Sequence, residues 1–592
     1  MYPLHKLAFP HNTDKAEALY LRPIGDRVPD LQGEAIALEP GQGVRGDTYF
    51  GLFPLAQWRR VAALRSYGIV VMGEGAATLL LRALDPAAAE DPVLLELNIE
   101  LGSGMIDVSG VLAQAEAEGV YLEIVARSDV SLRRAAFVTK DAPRRRVELG
   151  LSITTFGRAA MVAQTIDKLT HFIERDPEPE LGAFSLLVVD NGRELDAASY
   201  PGATVLPNAN LGGAGGFARG LSHYVDTSAT THVCFMDDDA ATEDECLLRT
   251  RRLLAYAQNE RTAVSSAMLR AETSFMMHEQ GALFEWGENH RIISRKNGLD
   301  LLKREHLAEA LRQEPFSYGG WWFFAFPIRG ELVFPYPMFV RGDDWLFSYL
   351  NNFSLETMLG VASWQEGFEG KISPGEQYLA TKAFLVAELI LRDPPNPLAT
   401  ARFFGRWALR NIFGYCYDRA ELNCEAISDV LKGPEFWAEN AALGKRLGEL
   451  RGMVKAEILQ PLPDAGEHVL ARASRPERRT KTALRLLTLN GHLLPRGLVG
   501  TSVTEEVSLP RVDAPQPRFA FGRKQVRYVD EHQGKVFLAV KDTARALELM
   551  VRLTILLTRL VFSYDRLRKE YRAAIGRFGT KAWWDQTFQR AA

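Results

Sequence analysis

Three consecutive carboxylates, Asp237, Asp238 and Asp239, close an apolar run of Val233, Cys234, Phe235 and Met236. The run has the composition of a short buried strand. Like charges crowded at the end of such a strand are costly unless something positive neutralises them. A hard divalent cation, Mg²⁺ or Mn²⁺, does this with oxygen ligands and usually shares the site with substrate phosphates. A solvated acidic turn would use the same three residues, so the neighbouring segments have to decide.

Those segments, within about 147–395, alternate strand and helix. Val147 to Thr154 is an apolar strand, followed by Thr155-Phe156-Gly157-Arg158 and a helix over about Ala159 to Arg175 with Met161, Ile166, Leu169 and Phe172 facing inward. Phe184 to Val189 makes a second strand closed by Asp190-Asn191-Gly192, and Thr204 to Leu206 a third. The third leads into Asn210-Leu211-Gly212-Gly213-Ala214-Gly215-Gly216 and a helix to about Tyr224, and a fourth strand delivers the carboxylates. Polar residues at strand C-termini mark the ligand-binding edge of an open α/β sheet. Asp190 or Asn191 could hydrogen-bond a base or ribose, although a plain Asp-Asn-Gly turn has the same composition. The glycines let the backbone approach a sugar or phosphate at a helix N-terminus, but they lack the spacing and Lys-Ser/Thr of a P-loop, which argues against an ATPase. Arg158 and Arg219 could face phosphate or lie solvated on helices.

Taken in order, Thr155-Phe156-x-Arg158, Val188-Val189-Asp190-Asn191-Gly192, Asn210-Leu211-Gly212-Gly213-x-Gly215-Gly216-Phe217-x-Arg219 and Asp237-Asp238-Asp239 resemble the family 2 glycosyltransferases of GT-A fold. Gly320-Trp321-Trp322 and Phe339-Val340-Arg341-Gly342-Asp343-Asp344 narrow the likeness to bacterial galactofuranosyltransferases that polymerise cell-wall galactan. The resemblance covers roughly residues 147–370, and more loosely a β-rich N-terminal and a helical C-terminal region. It implies an inverting transfer of galactofuranose from UDP-galactofuranose to a growing surface glycan. Asp237 and Asp239 would hold the divalent ion and diphosphate with Asp238 nearby. Thr155, Phe156, Arg158, Asp190, Asn191, Asn210, Gly212, Gly213 and Arg219 would line the nucleotide-sugar site, and Trp321 and Trp322 would shape the acceptor pocket or serve as core aromatics. Asp344, supported by Asp343, would be the general base, a role typically worth about 10²–10⁴-fold.

One position departs from the family pattern. Where a Trp-His pair would bring a third metal ligand, this chain reads Ala362-Ser363-Trp364-Gln365-Glu366. Gln365 offers a carbonyl oxygen in place of imidazole, which suits Mg²⁺, and Glu366 is a second candidate. His278 falls where the family has a pocket histidine near the acceptor.

The flanking regions are less informative. Residues 1–146 carry short β-like runs (Ala35 to Leu38, Thr78 to Leu84, Val93 to Ile99, Val120 to Val125), with Tyr49, Phe50 and Phe53 as core, and read as a β-sandwich. Gly41 to Gly46 is glycine-rich without a surrounding strand-to-helix pattern, hence a turn. Arg144-Arg145-Arg146 reads as a basic linker. Beyond Pro394-Pro395-Asn396-Pro397, residues 396–592 read as mainly helical: Ala399 to Tyr417, Ala420 to Lys432, Trp437 to Ile458, and a long helix over Lys541 to Ala574 with Leu549, Leu553, Leu556 and Leu557 inward. Arg472 to Lys481 is strongly basic, and basic amphipathic helices either pack on their own protein or lie on an anionic membrane.

The 592 residues carry 47% hydrophobic and 24% charged residues, ordinary for globular domains, and 70 basic against 74 acidic side chains give no reason for a nucleic-acid partner. Four cysteines without a CxxC pair argue against a zinc ribbon and for a reducing compartment. MYPLHKLAFPHN lacks a signal-peptide pattern, and no run of about 18 uncharged apolar residues occurs. The expectation is a cytoplasmic enzyme, peripheral on the inner face of the plasma membrane if its acceptor is lipid-linked, with a homo-oligomer left open. Two rivals stand beside it: a transferase using a pyranose donor, and a catalytically silent glycan-binding or assembly subunit, for which Gln365 is the best support.

Overall fold

In the computed structural model, which describes residues 1–9, 16–25, 35–285, 291–328, 330–367, 374–462, 479–494, 506–510, 515–530 and 534–591, one nine-stranded sheet organises the centre. Its main strands are β1 (Leu149–Thr155), β2 (Phe184–Asp190), β3 (Thr204–Pro207), β4 (His232–Asp237), β5 (Thr262–Arg270), β6 (Phe324–Pro327) and β7 (Ser354–Gln365). They lie in the order β3-β2-β1-β4-β6-β5-β7, and the first four run parallel. β6 is antiparallel to both its neighbours, and β5 is parallel to β7. The helices α1 (Ala159–Glu174), α2 (Gly212–Asp226) and α3 (Asp244–Tyr256) connect or cover these strands. Both faces of β1 and β4 are buried, which explains why their sequences are near-continuous apolar runs. The strand order reverses at β1, where doubly wound sheets open a crevice at the strand C-termini.

Residues 2–139 form two further five-stranded sheets, with Tyr49, Phe50 and Phe53 fully buried. Their core is continuous with that under the central sheet. A seam of charge also crosses between them. Arg252 of α3 donates to Glu178 at 2.6 and 2.8 Å and to Glu245 at 2.5 Å, Lys6 pairs with Glu178 at 2.7 Å, and Arg249 donates to the carbonyls of Lys6 and Phe50 at 2.7 Å each. Arg145 is no free linker residue, because its guanidinium caps the end of α3 at the carbonyls of Leu254 and Ala257. On α1 the buried residues are Val162, Ile166, Leu169 and Phe172. Met161, expected inward, is 48% exposed, because the helix is phased one residue further on.

After β6 come α4 (Asp343–Asn351), α5 (Pro374–Leu391), α6 (Pro397–Phe413), α7 (Tyr417–Val430), the 36-residue α8 (Thr543–Phe578) and α9 (Lys581–Ala591). α5, α6, α7 and α8 share one core that includes Leu385, Ala408, Ile427, Leu553 and Leu560. α8 begins where Asp542 accepts the backbone N–H of Arg545 at 3.0 Å, an N-cap. Leu549, Leu553 and Leu556 are buried as read, with Leu557 partly so. A four-stranded sheet, including Gln525–Asp530 and Lys535–Val540, is an addition to the helical reading of this region. Alternation is present there, with Val526, Tyr528, Phe537 and Ala539 buried, but in six-residue runs beside far longer helical ones. Most of the basic stretch Arg472 to Lys481 lies outside the described residues. Among the described residues no helix is long and apolar enough to cross a membrane. The four cysteines are free and buried.

Candidate active site

Register places the polar strand ends side by side. Thr155 pairs with Asp190 between β1 and β2, and Thr154 with Asp237 between β1 and β4. The triplet then splits by role. The Thr155 hydroxyl donates to Asp238 at 2.8 Å, and Arg158 reaches both Asp238 at 2.8 Å and Asp239 at 2.9 Å. Burial raises the Asp238 carboxyl above its ordinary range despite the Thr155 and Arg158 contacts. Asp237, half-buried, turns toward a cleft of about 720 Å³ instead.

The other nucleotide-end residues build the frame of this edge. Asp190 is buried, and its carboxylate accepts the backbone N–H groups of Gly192, Glu194 and Leu195 at 2.6–2.9 Å. The Asn191 amide donates to the Gly212 carbonyl at 3.1 Å and accepts from Asn208 at 2.9 Å, while Asn210 accepts from the Gly212 N–H at 3.1 Å. Gly212 is in the left-handed region at φ +69°, and a Cβ there would stand 2.2 Å from the Phe339 carbonyl oxygen. That close approach joins the start of α2 to the loop before Asp343, and the Ala214 N–H donates to the same oxygen at 3.0 Å. Phe156 is 57% exposed beside this edge. Arg219 stands apart from it, lying over the Phe588 ring of α9 at 5.0 Å.

The cleft gathers Gly213, Asp237, His278, Trp321, Trp322, Asp343 and Asp344, seven of the residues singled out from sequence. Trp321 is both wall and core, with its ring within 4.9–5.7 Å of Phe217, Phe235 and Phe347. Asp343 and Asp344 occupy the first turn of α4, a position whose helix dipole favours carboxylates. Burial works against that. It pushes Asp343 up to about 6, while burial and the adjacent Asp343 hold Asp344 well above the usual carboxylate range. The loop delivering them takes positive φ at Phe339 (65°), Arg341 (68°) and Gly342 (83°). Such backbone costs of order 1–3 kcal/mol per non-glycine residue and persists only when its surroundings hold it.

What holds it is Lys382, which the sequence reading did not single out. Fully buried on α5, it donates to the carbonyls of Met338 and, at 3.1 Å, Val340. Burial brings its ammonium down to about 7 even with Asp343 nearby. A lone lysine in the apolar run Ala380 to Ile390 was its sequence signal. Glu279, also missed, lines the cleft, accepts from Ser294 at 2.6 Å, and is raised to about 7 by burial.

Gln365 ends β7. The antiparallel pairing of Ala241 with Trp364, continued by one residue, sets Gln365 opposite residue 240, next to Asp239. Its side chain is 3% exposed, and its Nε2 has no hydrogen-bond partner among the described residues. Glu366 beside it is exposed. Two carboxylates and the Gln365 carbonyl oxygen are donors of the kind Mg²⁺ or Mn²⁺ accepts, whereas the unpartnered Nε2 is an N–H donor and no metal ligand. Among the described residues no three His, Cys, Asp or Glu side chains cluster as a metal cage.

The carboxylates gather at the C-terminal edge of the sheet, and the relatives that the chain resembles are sugar-transferring enzymes. The chain is similar to the galactofuranosyltransferase GlfT2 of Mycolicibacterium smegmatis, 23% identical over 93% of this chain and 90% of the relative. It is likewise similar to GlfT2 of Mycobacterium tuberculosis, 24% identical over 66% of this chain and 65% of that protein. The resemblance to galactofuranosyltransferases thus extends far beyond the central sheet. No protein-family model matches the chain. Among solved structures, S. aureus TarS (residues 1–349) overlaps 51% of this chain and 83% of its own at 13% identity with a TM-score of 0.29.

Proposed function

We propose that this protein is an inverting, metal-dependent glycosyltransferase that moves galactofuranose from UDP-galactofuranose to a growing surface glycan. The observation that carries the reading is the convergence, in one cleft, of Asp237 from β4 with Asp343 and Asp344 at the start of α4, flanked by Trp321 and Trp322. Similarity to proteins named galactofuranosyltransferase supports the sugar.

The uridine and diphosphate end of the donor takes the edge formed by Thr155, Arg158, Asp190 and Asn210. Asp237 and Asp239, with the Gln365 carbonyl, are the residues that would hold the divalent ion, and a bound ion neutralises charge on the departing diphosphate. The acceptor sugar packs a C–H face on Trp322 and presents a hydroxyl to Asp344. Asp344 takes the hydroxyl proton as its oxygen forms a bond to the anomeric carbon. The bond from that carbon to UDP breaks on the opposite side, UDP leaves with the electron pair, and the configuration inverts. Asp343, raised toward neutrality and held near Lys382, keeps the two carboxylates from sharing full charge in a dry site.

The test is calorimetric binding of UDP with and without Mn²⁺ or Mg²⁺, then turnover across a panel of UDP-sugars with a lipid-linked or alkyl glycan acceptor. Metal-dependent UDP binding with turnover of UDP-galactofuranose supports the proposal. Turnover of a pyranose donor keeps the chemistry and replaces the sugar. Absence of UDP binding under either metal would favour a silent glycan-binding subunit, the reading for which Gln365 in place of a histidine ligand speaks.

A further inference from the structure

From Leu332 to Gly342 the chain that delivers Asp343 and Asp344 forms neither helix nor strand, so its backbone groups need partners from elsewhere. Lys382 of α5 takes the carbonyls of Met338 and Val340, and the Ala214 N–H at the start of α2 takes that of Phe339. A further anchor comes from the C-terminal helix. The Trp584 indole N–H of α9 donates to the Pro335 carbonyl at 2.8 Å, and the Gly579 carbonyl just before α9 accepts the Phe334 N–H at 2.9 Å. Trp584 is 1% exposed and shares one core with Phe217 and Trp321, which line the cleft, and with Phe347 of α4.

The same helix is tied to α2. Ser222 donates to Asp585 at 2.6 Å, Lys581 pairs with Asp226 at 2.9 Å, and Arg219 lies over Phe588. A cavity of about 300 Å³ lined by Arg219, Ser222, Asp226 and Asp585 runs beside this seam, so its polar contacts can be removed one at a time without emptying a core site. The contacts close a ring: α2 holds the loop at Phe339, α9 holds it at Pro335, and α9 holds α2 at Ser222. A helix that only filled space would need apolar area alone. Here α9 sets a buried N–H donor on the loop and an acceptor on α2, the elements that carry the carboxylates and the glycine-rich end of the nucleotide edge. Positive φ at Phe339 and Arg341 makes the loop dependent on its anchors. We propose that α9 is a strut that keeps the carboxylate loop in register with α2, with Trp584 as a positioning residue for Asp343 and Asp344. The catalytic consequence rests on the transferase reading. The mechanical coupling does not.

The test pairs hydrogen exchange, read by mass spectrometry on the full-length protein, with steady-state transfer from UDP-galactofuranose to an alkyl galactofuranosyl disaccharide. Trp584→Phe keeps an aromatic ring and removes the N–H. It should speed exchange of residues 336–342 about tenfold while exchange in β1 stays unchanged. The kcat should fall about tenfold, with KM for the donor and Kd for UDP within about twofold, because the carboxylates are displaced and the nucleotide edge is not. Ser222→Ala, at the other end of the strut, should speed exchange of the same residues and lower kcat about threefold, and the double variant should be no worse than Trp584→Phe alone, since both break one path. Asp585→Asn keeps an acceptor for Ser222 and should match the parent. Ser222→Ala and Asp585→Asn decide the matter if Trp584→Phe melts early. Exchange and kcat at parent values in both Trp584→Phe and Ser222→Ala, or effects that multiply in the double variant, overturn the strut. A lowered melting temperature with kcat unchanged well below it makes α9 a packing helix and equally overturns it. Faster loop exchange in a protein that transfers no sugar keeps the strut and removes the transferase reading, whereas transfer that neither variant alters does the reverse.

Discussion

Two regions of this protein bury ionisable groups, and they treat them in opposite ways. In the seam between the N-terminal sheets and α3, each charge meets an opposite one: Lys6 and Arg252 with Glu178, Arg249 and Arg252 with Glu245. Burial alone would raise Glu245, yet Arg252, Arg249 and Lys6 hold it down to about 2. In the cleft, burial lifts Asp343 to about 6, even with Lys382 beside it, and Glu279 to about 7, while burial, with Asp343 and Glu279 nearby, holds Asp344 well above the usual carboxylate range. Pairing keeps a buried charge ionised and structural. Burial that its partners do not offset brings it toward neutrality, where proton transfer at physiological pH becomes available. Equal burial therefore says little about role until the partners are named.

The largest expected effect separates the two regions by readout. Asp344→Asn should lower kcat by about 10²–10⁴-fold with UDP binding unchanged and a melting temperature at neutral pH no lower than the parent's, since it removes a buried carboxyl whose proton affinity is raised. In the parent enzyme the rate should rise with pH at values above the ordinary carboxylate range, because a base with a raised pKa is inactive while protonated. A rate flat between pH 5 and 8 would contradict the assignment.

The seam should answer in stability. Arg252→Ala leaves Glu178 and Glu245 buried without their main partner and should cost about 3–5 kcal/mol, read as a large drop in melting temperature, with UDP affinity intact at low temperature. The sign with pH also differs. Glu245 has a depressed folded pKa, so its contribution is full above about 4.5 and is lost as pH falls toward about 2. Acid unfolding of the parent protein should start there, and Arg252→Ala should move its onset to higher pH.

Lys382 links the two behaviours, being a buried cation that serves the cleft. Lys382→Met should lower kcat roughly 10–100-fold by releasing the carbonyls of Met338 and Val340, whose loss of a partner costs about 1–3 kcal/mol. Removing its charge from beside Asp343 should also move the acid limb of the kcat profile upward by about one unit, with KM for the donor unchanged. A merely structural lysine would lower stability without moving that limb.

How much of this was legible depends on whether the signal was local. β1, β2, β3 and β4 fall within a residue or two of their sequence readings, because each is an apolar run closed by turn or carboxylate residues. The cleft positions of Asp237, Trp321, Trp322, Asp343 and Asp344 follow from motifs carried by the family likeness. Asp190, in contrast, spends its carboxylate on three backbone N–H groups, the plain turn chemistry that Asp-Asn-Gly also encodes. Arg219 meets α9, an encounter across more than 360 residues that no local pattern announces. Glu279 and Trp407 line the cleft and Lys382 backs its loop, from three separate segments that only tertiary packing assembles.

The smallest effect sharpens the contrast most. A carboxyl whose folded pKa is raised binds more protons folded than unfolded, so it costs stability as pH rises from about 3.8 to about 6, and that cost is complete above about 6. Asp343→Asn removes the charge while keeping the shape, and should stabilise the protein by about 1–2 kcal/mol at pH 7.5, with little change at pH 4. Activity should fall in the same variant, since Asp344, raised first by burial, loses the neighbouring charge that raises it further. Gln in place of Glu245 should do the reverse, destabilising at pH 7.5. Thermal melts of both variants at the two pH values check the pair. If Asp343→Asn melts lower at pH 7.5, Asp343 is a paired structural charge like those of the seam, and the division between the two regions would have to be drawn elsewhere.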